Sequence, residues 1–285
     1  MRSTAGSASQ HPPIAYHVTQ EDAEHESQTM RNTRRLPGRV LPIFFLVGAI
    51  LPIASVAQLS EVDPDAIHLL RQSTEYLSSL RQFRVETDTT IEAVLPAGQK
   101  LQFGHRVAVT VQRPDKLRVD RVGDLISQVF YYDGKSLSVN LPDDKYYATV
   151  PAPSTIEPML DFARDKLDVI APGADFVYKN AFERLTEGLT SAVIVGRGVI
   201  GGVRCYHIAF RNPEVDWQIW IQEGDRPLPR KFIVTSKRMP ESPQFVVVMS
   251  KWDAAPKLTD AMFRFAPPKG SRQIEFLSPA LAVNK

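Results

Sequence analysis

The run Gly196-Arg197-Gly198-Val199-Ile200-Gly201 matches the G-x-G-x-x-G pattern that cradles a dinucleotide pyrophosphate. It follows the apolar run Ser-Ala-Val-Ile-Val, and Asp216 stands near the distance expected of a ribose ligand. That chemistry needs a helix N-terminus at the third glycine, because the pyrophosphate sits on it. The sequence offers Val203-Arg204-Cys205-Tyr206-His207-Ile208-Ala209-Phe210 instead, which alternates like a strand. Gly201-Gly202 therefore reads as a hairpin turn. Gly134-Lys135-Ser136 resembles the end of a P-loop, but Val129 stands where the earlier glycine belongs and a strand follows. Neither G-x-S-x-G nor H-E-x-x-H occurs.

Metal and acid–base chemistry fare no better. After residue 57 the histidines are His68, His105 and His207, each on a different expected element. Cys205 and His207 share a strand face at i, i+2, which is two ligands where a zinc site needs at least three. A small core cysteine beside a hydrogen-bonded histidine explains them. Asp143-Asp144 fall in a turn, and Asp161 and Asp165 share the solvated side of a helix. No constellation with the look of a catalytic centre emerges, so the expectation is a non-enzyme without metal or cofactor.

The aromatic residues carry more information. In Val215–Gln222, Val215, Trp217, Ile219 and Ile221 line one face, and Trp220 shares the other with Asp216, Gln218 and Gln222. Tyr131-Tyr132 and Tyr146-Tyr147 each put one ring on either side of a strand. One ring of each pair belongs to a core, and the other decorates the opposite face.

The elements that must hold these residues are mostly strands. Asp63-Pro64 starts a helix over 64–81, with Asp as N-cap and Pro at the first helical position. Alternation from Phe83 to Ala93 and from Leu101 to Val111 gives two half-buried strands around a Pro96-Ala97-Gly98 turn. Further strands are expected at 116–122, 126–132, 135–140 and 145–150, with Asp133-Gly134 as a hairpin turn. Ser154-Thr155-Ile156-Glu157 reads as a capping box opening a helix over 155–167. A mostly helical stretch follows at 172–187. Strands resume at 189–199, 203–211, 214–222, 229–238, 244–251, 261–265 and 272–277. One-faced antiparallel strands need a cover. The economical cover is a strongly curved antiparallel sheet, an incomplete barrel, wrapped around a few helices: a mainly β (α+β) fold.

The chain has 285 residues, 43% hydrophobic and 23% charged, which is ordinary globular composition. Lys and Arg total 34 against 32 Asp and Glu, so no basic footprint of a nucleic-acid binder exists. The lone Cys205 cannot form an internal disulfide. Residues 40–53 are apolar and uncharged, follow Arg31, Arg34, Arg35 and Arg39, and precede Ser55-Val56-Ala57. This is the layout of a secretory signal peptide cut after Ala57. The run is too short to span a bilayer, and Pro42 and Pro52 interrupt it, so no permanent anchor remains after cleavage. Residues 1–29 are acidic and polar, whereas Met30 opens a basic n-region, so translation is expected to start there. The expected organisation is an extension and signal over 1–57 and one soluble periplasmic domain over 58–285.

Several segments together resemble a family of predicted periplasmic proteins of unknown function. They are Arg113-Pro114-Asp115-Lys116-Leu117-Arg118, Tyr131-Tyr132-Asp133-Gly134-Lys135 and Lys145-Tyr146-Tyr147-Ala148. Asp216-Trp217-Gln218-Ile219-Trp220-Ile221 leading to Pro227-Leu228-Pro229-Arg230-Lys231 joins them, as do Trp252 and Phe263-Arg264-Phe265-Ala266-Pro267-Pro268. The resemblance covers roughly 60–280 and implies a fold like that of the lipoprotein-localisation carriers (LolA/LolB-like). In such a half-barrel the space between sheet and helices receives acyl chains. The resemblance thus implies non-catalytic binding of a hydrophobic ligand, a lipid or the acyl chain of a lipidated protein, in cell-envelope traffic. Inward positions expected to line the site are Leu70 and Leu77 on the first helix and Phe103, Val107, Trp217 and Ile219 on strands. The alternative is a filled core whose outer aromatics, such as Trp220, dock an envelope protein partner.

Overall fold

The computed structural model describes residues 62–169 and 171–276, and the expected extension and signal segment lie outside them. Helix α1, Pro64–Ser79, starts as expected. Asp63 caps it by accepting a hydrogen bond from the Asp65 N–H at 2.8 Å. Ala66, Leu70, Ser73, Thr74 and Leu77 form its buried stripe. Just before it, the Asp63 N–H donates to the Ala192 carbonyl at 2.9 Å, tying the helix to a sheet edge.

Six strands follow: β1 Gln82–Val94, β2 Lys100–Gln112, β3 Lys116–Gly123, β4 Gln128–Tyr132, β5 Ser136–Leu141 and β6 Tyr146–Pro151. The expected Asp133-Gly134 turn joins β4 and β5, with Asp133 Oδ1 accepting from the N–H groups of Lys135 and Ser136. A helical link comes next: α2, Ile156–Leu167, a 3-10 turn at Ala174–Val177, and α3, Ala181–Thr186. The stretch 172–187 is mostly helical, as expected, in two short pieces. The chain then returns to the sheet as β7 Ser191–Ile200, β8 Val203–Arg211, β9 Val215–Gln222, β10 Pro229–Ser236 and β11 Gln244–Asp253. A second 3-10 turn, Asp260–Met262, precedes the last strand, β12 Arg272–Gln273.

All twelve strands form one sheet in the order β12-β6-β5-β4-β3-β2-β1-β11-β10-β9-β8-β7. Two antiparallel meanders, β1–β6 and β7–β11, meet where β1 pairs β11. The sheet is open, with β12 and β7 as its edges. Laid flat it would be about 53 Å wide, against about 24 Å for α1. One cluster of buried side chains nevertheless draws on β1–β5, β7–β11 and all three helices. The sheet curves round the helices to share that core.

Three expectations needed correction. Ser154 does not cap α2: Thr155 occupies the N-cap without a side-chain bond. The Ile156 N–H is met by the Pro114 carbonyl at 2.9 Å, and Glu157 Oε1 accepts from the Lys179 N–H at 2.9 Å. Tertiary partners thus take up the Ile156 N–H and the Glu157 carboxylate. Residues 261–265 are not a strand. Phe263 is fully buried, and Phe265 packs on Tyr131 and Tyr147 with ring centroids 5.4 and 5.2 Å apart. Rings that dock on a sheet face give the same alternating pattern as a strand. Finally, of the described residues in 272–277 only Arg272 and Gln273 form a strand, β12, which pairs with β6 in parallel.

Candidate functional site

The register fixes which side chains share the inner face of the sheet. On β1 these are Phe83, Val85, Thr87, Thr89 and Ile91; opposite them on β2 stand Val111, Val109, Val107, His105 and Phe103. On β3 the series continues as Leu117, Val119 and Arg121, with Val107 opposite Arg121. This inner face divides into two regions. Near the helices it is core: Phe83, Val85, Val111 and Leu117 are buried in the cluster, and Ile91, Val109 and Val119 pack against it. Beyond them Leu101, Phe103, His105 and Val107 are half-buried and lie outside the cluster. They form an apolar strip about 20 Å long from Leu101 to Val107.

The six expected lining residues are split by this division. Leu70, Leu77, Trp217 and Ile219 come together in the core, none more than 4% exposed. Trp217 stacks on Phe210 with centroids 3.9 Å apart and leans on Phe232 at 5.8 Å. Phe103 and Val107 stand apart from them, in the strip.

Two polar side chains interrupt the strip. His105 is pushed down to about 4, first by burial and then by the positive charge of Arg121, with Asp124 acting in the opposite sense. Its imidazole is therefore uncharged at neutral pH. Asp124 itself accepts the Gly104 N–H at 2.6 Å. Arg121 is half-buried, and burial holds its guanidinium below the ordinary arginine value. Its Nε is buried without a hydrogen-bond partner. The signal for Arg121 is present in the sequence: in Leu117-Arg118-Val119-Asp120-Arg121 it falls on the apolar side of the alternation.

The other expected features have structural roles. Gly201-Gly202 turns the β7–β8 hairpin. Cys205 is buried, its thiol donates to the Val203 carbonyl at 3.4 Å, and burial pushes it up. The His207 ring stacks on Trp220 at 3.9 Å, and its Nε2 hydrogen-bonds Gln218 Oε1 at 2.9 Å. Lys231 Nζ lies 4.9 Å from the Trp220 ring centroid. The half-buried Trp220 ring thus has an imidazole stacked on it and a cation nearby. Among the described residues no group of three or more His, Cys, Asp or Glu is placed to hold a metal.

A second exposed feature is the edge strand β7. Val193, Ile194, Val195 and Val199 are all exposed, Val199 by 64%. A bulge between Ile194 and Gly196 interrupts its pairing to β8.

The family model described as "Predicted periplasmic protein (DUF2092)" matches residues 66–277. No curated protein matches the chain. Several solved structures are similar. An uncharacterized conserved protein from Thermus thermophilus is 11% identical, with 74% of this chain and 99% of that one covered at a TM-score of 0.42. The Mycobacterium tuberculosis lipoprotein LppX is 16% identical, covering 69% of this chain and 100% of that one, at 0.39. A LolA superfamily protein from Nitrosomonas europaea is 13% identical, covering 70% and 97%, at 0.36. At such scores none of them bears on ligand or partner. No helix among the described residues is long and apolar enough to cross a membrane.

Proposed function

The chain belongs to the DUF2092 family of predicted periplasmic proteins, and we propose that it is a non-catalytic binding protein for an acyl chain. The observation that carries this reading is the half-buried strip of Leu101, Phe103 and Val107, an apolar inner surface that the helices and the core leave unclaimed. An acyl chain laid along it would lose water at about 0.8 kcal/mol for each buried methylene. The ligand would be a lipid or the acyl chain of a lipidated protein, in traffic across the cell envelope. Phe103 and Val107 would touch it, while Leu70, Leu77, Trp217 and Ile219 would form the wall behind. Binding needs no chemistry beyond desolvation.

Titration with a dansyl-labelled fatty acid tests the proposal. Saturable, blue-shifted emission is expected, and Val107→Glu should abolish it while leaving the melting temperature within a few degrees. No saturable signal from the wild-type protein would refute it. A second reading, a scaffold for an envelope protein, is favoured by one observation: the exposed apolar edge of β7. An extended segment could add a strand there.

A further inference from the structure

Within β3 two arginines face opposite ways, and their surroundings differ. Arg118, on the outer face, is fully engaged. Its Nε and Nη2 donate to the Asp120 carboxylate, with the Nη2 bond at 2.7 Å, and Nη1 donates to the Met262 carbonyl at 3.3 Å. Its plane also lies over Tyr131, 4.9 Å from the ring centroid. Arg121, three residues on and inward, has no such company. Val107 is its cross-strand neighbour on β2 and Gln128 its neighbour on β4. Its Nε is buried without a partner, and no ion pair among the described residues includes it. A buried guanidinium N–H ordinarily has a hydrogen-bond partner, because leaving it unmet forfeits the hydration it had in water. A cation left single at the core end of an apolar strip is a site arranged for an anion that arrives from outside.

Resting on the acyl-chain reading above, we infer that Arg121 anchors the carboxylate of a fatty acid whose chain lies along the strip. The guanidinium presents a planar fork that matches a carboxylate with two parallel hydrogen bonds. A single unpaired guanidinium balances a single negative charge. The head sits beside Val107, and the chain runs past Phe103 towards Leu101 and the β1–β2 turn. His105, neutral and between these positions, is free of charge that would compete for the head. The charge selects the ligand: an alcohol of the same chain length fills the strip but leaves Arg121 unpaired.

Calorimetric titration of the purified protein with oleate and with oleyl alcohol separates the two contributions. The wild type should prefer oleate by about tenfold or more. Arg121→Met, which keeps the apolar stem, should lose that preference and retain binding of the alcohol. Arg121→Lys should keep part of it. Arg121→Met should also melt no lower than the wild type, because it removes a charge with no partner; a merely structural arginine would lower the melting temperature. Equal binding of both ligands by the wild type, or a preference that survives Arg121→Met, overturns the anchor and leaves acyl binding standing. Failure of both ligands to bind the wild type overturns both.

Discussion

His105 stands between a desolvating sheet face and the Arg121 cation, and its folded value of about 4 lies below the ordinary 6.5. The unfolded chain therefore takes up the proton first as pH falls. The stabilisation from keeping this ring neutral is complete above pH 6.5 and is lost as pH falls from there to about 4. The ring is half exposed, so solvent screening cuts the loss to on the order of 1 kcal/mol. Urea midpoints measured from pH 7.5 to 4 should fall across that window for the wild type relative to His105→Gln. Parallel curves would show that His105 does not couple stability to pH. At this scale the sequence is readable where a residue breaks a pattern. Arg121 breaks the apolar alternation of β3, whereas the contrast with Arg118 appears only once Asp120 and Met262 are placed. His207 is the opposite case: its spacing to Cys205 hints at a metal, but its partners are Trp220 and Gln218 from the neighbouring strand.

Local chemistry decides an element when its ends are satisfied from within. Helix α1 starts at Asp63-Pro64 because the cap is local, through the bond from the Asp65 N–H. Asp63→Ala should cost about 1 kcal/mol of stability. The Asp63 N–H bond to Ala192 is a backbone bond and survives the substitution, so chemical denaturation isolates the cap. A cost near zero would show that the sheet edge alone holds the helix start. Helix α2 shows why the same reasoning fails elsewhere. Its N-terminal groups bond Pro114 and Lys179, one from a distant turn and one from the chain beyond the helix, so Ser154 is not needed. Strands such as β9 and β11 were legible because one face is buried and the other wetter, which writes a period of two into the sequence. Phe263 to Phe265 carry that period without being a strand, because rings lying on a sheet face alternate too.

For the whole molecule, the joining of the two meanders through β1 and β11 was not written in any local pattern. It depends on a pairing between residues about 160 positions apart, such as Thr89 with Val247. The helical link from β6 to β7 carries the chain between opposite parts of one sheet, and the curvature of that sheet gives the helices a face to fill. Leu101, Phe103 and Val107 on that face lie outside the shared core. Leu70, Leu77, Trp217 and Ile219 were legible as inward residues, but periodicity cannot tell an inward residue in a filled core from one beside an unclaimed strip. That distinction needs the helices in place, and it sets Phe103 and Val107 apart.

An acyl chain held along the unclaimed strip should survive gentle purification. Native mass spectrometry of the protein, purified gently from a periplasmic extract, tests it most directly. The spectrum should show a discrete added mass that solvent extraction releases as an acyl lipid. A clean protein mass, unchanged after incubation with phosphatidylethanolamine–phosphatidylglycerol vesicles, would contradict it and turn attention to the apolar edge of β7.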